Sequence, residues 1–169
     1  MKKYISLFIF VILCNCNNIF TQTITKKYSI ENNELKILSP ILFETGSDKL
    51  KPESEEGLTI VKEYLESKSY ISLLRIEGHT DSDGNEKINQ VLTEKRATAV
   101  AQWLVKHGID CNRLLPVGFG STKPIAPNDT AENKAQNRRI SFVHAALRGK
   151  SIGGFSVDGG GIVAGNPCK

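Results

Sequence analysis

A chain of 169 residues can hold one domain with a sizeable core and is too short for two full ones. Its formal charge of +4 includes Lys2 and Lys3 at the start; without these two of the 22 basic residues, about 20 stand against 18 acidic ones and nearly balance, which excludes the basic face that nucleic-acid binding needs. Three histidines in no Ser/His/Asp or Cys/His pattern offer no catalytic constellation, and a zinc site built from His107 and Cys111 would lack two ligands, so the chain reads as a binding protein with no enzymatic role and no cofactor.

Residues 1–21 read as a signal peptide: a basic start, an apolar run from Ile5 to Leu13, then small and polar residues, too short for a comfortable membrane span. Cleavage after Thr21 releases a periplasmic protein. Alternatively Cys16 is a lipidated cysteine, with Leu13 at its minus-three position, although Asn15 departs from the small residue that lipoprotein processing prefers. Residues 22–35 show no periodicity and read as a linker or a short edge element. A first strand is expected over residues 35–43, broken at Pro40. Pro52 followed by Glu53, Glu55 and Glu56 marks a helix start, because proline fits the first turn and acids suit the positive end of the dipole. Leu58, Val61 and Leu65 form its buried stripe. A second strand is expected over 71–77, and a long helix over 86–107 with Gly108 as its stop. A third strand over 114–117 enters the turn Gly118, Phe119, Gly120.

Pro124 to Thr130 read as a loop, and Asp129 or Thr130 caps a short helix running to Gln136. The last strand, 138–143, alternates so that Ile140 and Phe142 face one side and Arg139, Ser141 and Val143 the other. Residues 147–169 are glycine-rich, and little order is expected there beyond what Cys168 holds. In the oxidising compartment that a signal peptide implies, Cys111 and Cys168 are a disulfide candidate, with two free thiols as the alternative. Strand and helix alternate throughout, which predicts an α/β sandwich of helices on a sheet. There is no series of ~10-residue alternating strands, so no transmembrane barrel is expected.

The stretch 78–96 carries the chemistry. Asp81 sits in a loop after an apolar strand, and Arg96 occupies the helical series Ile88, Leu92, Val100, Leu104 at the position where an apolar residue is missing. A guanidinium in an apolar stripe needs an acceptor, either a protein carboxylate or a ligand. Asn89, two turns before Arg96, falls on nearly the same face. An acid, an amide and a fork of donors together suit a zwitterion. The alternatives are a loop aspartate bonding its own backbone, an Asp81–Arg96 ion pair with no ligand, and an Asn89 that only braces the loop. A calcium loop starting at Asp81 fails, because Glu86 stands where glycine is required and Leu92 where a glutamate belongs.

These residues resemble the signature of the OmpA-like domain family: Gly78-His79-Thr80-Asp81 and Gly84, then Asn89, Leu92, Thr93, Arg96 and Ala97, then Gly118-Phe119-Gly120, Pro124, Asn128 and Asn137-Arg138-Arg139-Ile140. Phe43, Gly46, Ser47 and Leu50 match an earlier element. The resemblance covers residues 36–146 and implies a mixed, roughly four-stranded sheet with two long helices on one face. It also implies a peptidoglycan-binding module in which Asp81 and Arg96 hold the diaminopimelate of the stem peptide, Asp81 the ammonium and Arg96 the carboxylate. Phe43 and Asn89 would join them, and backbone amides of Thr45, Gly46, Ser47 and of Thr80 to Ser82 would close around the ligand. Arg138 and Arg139 read first as a structural clamp on neighbouring loop carbonyls or carboxylates; alternation sends them to opposite faces, so at most one can serve the site, and Arg139 is favoured for that. The implied place is the periplasmic side of the outer membrane, with envelope proteins as further partners. The competing function is a structural envelope protein that binds another protein while Asp81 and Arg96 pair internally.

Overall fold

In the segment Ile71–Gly78, alternation sends Leu74 and Ile76 to one side of a strand and Arg75 and Glu77 to the other. This strand, β3, is the centre of the sheet in a computed structural model that describes residues 27–154 and 156–169. The expected signal peptide, Cys16 and residues 22–26 of the expected linker lie outside the described residues. β3 pairs in parallel with β4 (Leu114–Gly118) and antiparallel with β5 (Ile140–Leu147). The full order adds β1 (Tyr28–Glu31) and β2 (Glu34–Ile37) beyond β5, β6 (Lys150–Ser151) on β5, and β7 (Ile162–Val163) beyond β4.

Two long helices cover the Leu74 and Ile76 side. α1 (Glu55–Ser67) buries Leu58, Val61, Tyr64 and Leu65, and α2 (Glu86–Lys106) buries Ala97, Val100, Ala101 and Leu104 against Leu74, Ile76 and Phe142. A short α3 (Ala131–Asn137) begins at Thr130, whose side chain accepts the amide of Asn133. The architecture is the expected α/β sandwich, with additional strands at both edges of the sheet. Among the described residues no helix is long and apolar enough to cross a membrane.

Four expectations differ from the structure. Residues 28–35 are the edge element rather than a linker: Asn32 and Asn33, both at positive φ (50° and 65°), make the two-residue turn of a β1–β2 hairpin, the backbone that right-twisted strands favour and asparagine tolerates. The strand expected over 35–43 ends at Ile37, and only Phe43 pairs again, in a single bridge to Leu50.

The stripe of α2 is also displaced. Its first half buries Asn89 and Thr93, while Ile88 is 68% exposed and Leu92 only partly covered. The reason is close approach: a Cβ at Gly78 would collide with the backbone of Thr93, and one at Gly118 would stand 2.6 Å from Glu94. Small and polar residues therefore face the sheet here, and Arg96 stands at the margin of the buried face.

The glycine-rich tail is ordered rather than loose. It crosses the side of the sheet opposite the helices, where Gly161 lies against Val117 and Phe119 and Gly159 against the guanidinium of Arg75, contacts that any side chain would prevent. Its carbonyls accept from cations: Arg75 Nη1 donates to Val157 O at 2.8 Å and Lys123 Nζ to Gly159 O at 2.7 Å. Cys111 and Cys168 are disulfide-bonded, which fixes the end of the tail beside the start of β4.

Candidate functional site

The loop leaving β3 is pinned before it reaches Asp81. His79 N–H donates to Arg139 O at 3.0 Å and Thr80 N–H to Gly120 O at 2.9 Å. The His79 ring is buried, stacks on Phe119 at 5.2 Å and meets Glu77, which also accepts from Arg75 Nε at 2.7 Å. Burial holds the His79 pKa below the ordinary histidine value, against the pull of Glu77. The carboxyl of Glu77 stays below its ordinary range: burial pushes it up, but His79 and Arg75 together outweigh that.

Asp81 is 7% exposed and has both oxygens engaged. Oδ1 accepts the Asp83 amide at 3.0 Å, and Oδ2 accepts from Arg138 Nη1 at 2.5 Å. The rest of the loop is braced from three directions. Asn89 Nδ2 donates to Asp83 O at 2.8 Å, Ser82 N–H to Asn128 Oδ1 at 3.1 Å, and Lys134 pairs with Asp83 at 2.8 Å. Asn128 is itself held by Asn137, whose side chain also takes the amides of Ile125 and Ala126. Asn89 thus braces the loop and does not face open space.

Arg96 lies across from this loop on the same end of the sandwich. Its Nε donates to Ser47 O at 2.8 Å, and its guanidinium carbon stands 5.0 Å from the centre of the Phe43 ring. Burial lowers its pKa, Asp48 raises it and Arg138 lowers it again, an order that marks a desolvated cation with a second cation near it. Among the described residues its Nη groups make no hydrogen bond. They face a cleft of about 270 Å³ walled by Leu42, Phe43, Glu44, Thr45, Gly46 and Arg138.

The structure therefore brings together Phe43, Thr45, Gly46, Ser47 and Arg96, and joins Asp81 to them through Arg138. It corrects three expectations. Arg139 is turned to the other side, where it clamps loop carbonyls as the first reading of the pair expects, donating to Asn137 O at 3.3 Å and Lys123 O at 3.2 Å, and so is not the arginine at the cleft. Arg138, not Arg139, stands at the site, because the site lies on the helix side that Ile140 and Phe142 face, and Arg138 shares their parity. The ion partner of Asp81 is Arg138 and not Arg96. Of the backbone amides expected around a ligand, those of Ser47, Thr80 and Ser82 are already bonded within the protein. The amides of Thr45, Gly46 and Asp81 have no acceptor among the described residues. Thr80 offers instead a buried hydroxyl without a partner.

A sheet with this motif loop, this helix and two arginines over a cleft defines a family. The family model described as OmpA family matches residues 42–138, and the chain belongs to that family. It is 36% identical over 121 residues to the probable lipoprotein YiaD of Escherichia coli, covering 69% of this chain and 53% of that protein. It is 35% identical over 113 residues to the outer-membrane lipoprotein YfiB of Pseudomonas aeruginosa, covering 67% of each. The chain thus spans between half and two-thirds of the length of these relatives. Among solved structures, the peptidoglycan-associated lipoprotein of Burkholderia pseudomallei superposes with a TM-score of 0.56 at 30% identity, over 62% of this chain and 88% of that one. A MotB-like protein of Desulfovibrio vulgaris gives 0.57 at 30% identity, over 65% and 70%.

Proposed function

We propose that the chain is a peptidoglycan-binding module of the bacterial envelope that holds the diaminopimelate of the stem peptide and so anchors the outer membrane, or a complex on its periplasmic side, to the cell wall. It binds and does no chemistry. Arg96 takes the carboxylate at the free end of diaminopimelate through its two Nη groups, and Asp81 takes the ammonium, with the Phe43 ring and the amides of Thr45 and Gly46 bordering the ligand.

The observation that carries this reading is Arg96 itself. A guanidinium is desolvated over an aromatic ring, with one donor tied to a carbonyl and the others open to a cleft, which is a costly arrangement for a merely structural residue. Family membership, and relatives that are outer-membrane lipoproteins or named as peptidoglycan-binding proteins, support the same direction. Co-sedimentation with purified sacculi tests it: the wild-type protein is expected in the pellet and to be released by free stem peptide. Protein that stays in the supernatant at micromolar concentration while remaining folded overturns the reading.

A further inference from the structure

Arg138 was outside the expected site, and its position adds a demand on the ligand. Together with Ile41 and Leu42 it lines both the Arg96 cleft and a second cleft of about 350 Å³ beside it, whose walls also include Ala135, Arg139 and Phe142, and of the three shared residues it alone is charged. Its side chain is 48% exposed, while the Asp81 side chain it holds is 10% exposed. Arg138 is therefore the more exposed partner of that pair and has open space to turn into.

Charge accounting then constrains what can bind. Around the two clefts Glu34 is paired with Lys36, Glu44 with Lys49, Asp83 with Lys134 and Asp81 with Arg138. Asp48 is exposed and acts on Arg96 only at a distance. Before any ligand arrives, the Arg96 guanidinium has no carboxylate partner, while Arg139, in the wall of the second cleft, spends its donors on the carbonyls of Asn137 and Lys123. A zwitterion adds one ammonium, which must share or take the carboxylate of Asp81, and one carboxylate, which answers Arg96. Arg138 is then left beside Arg96 and Lys134 with its acceptor divided or lost. Two guanidiniums at one cleft with a single ligand carboxylate would leave one cation uncompensated.

We infer that Arg138 is a specificity residue that binds a second carboxylate of the same ligand, so that the site selects stem peptides whose carboxylate next to the diaminopimelate zwitterion is free over peptides amidated there. This rests on the proposed function, since it names a finer property of the same site. As Arg138 leaves Asp81 to the incoming ammonium, it swings toward the second cleft and carries the ligand's other carboxylate with it. Two carboxylates of a stem peptide can supply this chemistry: the α-carboxylate of the γ-linked glutamyl residue, and the carboxylate by which diaminopimelate continues the chain.

The test is calorimetric titration of the whole protein with the tripeptide alanyl-γ-glutamyl-diaminopimelate and with its two single amides, one at each of these carboxylates. One of the amides is expected to bind about tenfold or more weakly than the free peptide, the loss of a charge-assisted pair. That difference is expected to vanish in Arg138→Gln and to persist in Arg138→Lys, with unchanged circular dichroism as the check on folding. If both amides bind wild-type protein as tightly as the free tripeptide, the second-carboxylate reading falls while peptidoglycan binding stands. If the preference survives in folded Arg138→Gln, Arg138 is not its source. If no tripeptide binds at all, the proposed function itself is wrong. The comparison of ligands on wild-type protein decides the matter even where a variant is unstable.

Discussion

Replacing Arg96 with alanine separates what the guanidinium does for the fold from what it does for a ligand. Within the protein it makes one hydrogen bond, to Ser47 O, and one cation–ring contact, to Phe43. Losing both should lower stability by only about 1–2 kcal/mol, and relief of burial for a desolvated cation offsets part of that. The ligand loses more: a bidentate carboxylate partner, worth roughly 2–5 kcal/mol when one side of a desolvated charge pair is truncated. The sharper readout compares diaminopimelate-type with lysine-type stem peptides, because lysine keeps the side-chain ammonium and lacks the carboxylate. Wild-type protein should prefer the diaminopimelate peptide by at least about tenfold, and Arg96→Ala should bind both weakly with little preference. Calorimetry on both proteins measures this, with urea unfolding alongside. Equal affinities of the wild type for the two peptides would show that Arg96 does not read a carboxylate. A collapse of stability in the variant would make the residue structural.

Asp81→Ala should abolish sacculus binding and also lower stability by roughly 1–3 kcal/mol, because it strips Arg138 and the Asp83 amide of their acceptor; an unchanged urea midpoint would mean that the Arg138 pair is not formed in solution. Acid should destabilise the fold. The pKa values of His79 and His144 are both lowered by burial from the ordinary histidine value of about 6.5, so each contributes stability that is complete above that pH and is lost as pH falls toward the folded-state value. Glu77, with a lowered folded pKa, adds a further loss at lower pH. Urea midpoints that stay level or rise between pH 7 and pH 5 would contradict this. Reducing the Cys111–Cys168 bond should free the tail and cost about 2–4 kcal/mol while leaving peptide affinity unchanged, since the tail lies on the opposite side of the sheet from Arg96. Amide exchange in β4 that does not quicken on reduction would argue that β7 holds without the bond.

The helical layer was legible because its signals are local. Pro52 with its following acids, Gly108 at positive φ and the buried triplet Leu58, Val61, Leu65 each act within a few residues. Asp81 and Arg96 were legible as residues but not as a pair, since nothing local tells that Arg138, 57 positions from Asp81, reaches it first. The tail failed for the opposite reason. Glycine-rich sequence normally signals a chain with too little side chain to bury, yet here the surface to be covered already carries Arg75, Phe119 and Val117, and bare backbone is what fits over them. Composition reports what a segment brings and is silent about what waits for it. The same limit applies to α2, where Ile88 and Leu92 made the more apolar helical face while Gly78 and Gly118 set which face could come close.

The tandem arginines show how one strand serves both sides of the sheet. Arg139 belongs to the tail side, where its donors close the carbonyls of Asn137 and Lys123 and its own carbonyl accepts the amide of His79. That bond fixes where the loop after β3 begins, and so where Asp81 comes to stand two residues later. Arg138, one residue earlier and of opposite parity, reaches over the other side and meets that same Asp81. One arginine thus places the carboxylate and its neighbour answers it, and a one-residue slip of register between β5 and β3 would exchange their roles. The register is held by Phe142, which is 1% exposed and opposite Ile76 in the core. A buried aromatic side chain therefore decides which arginine the site receives.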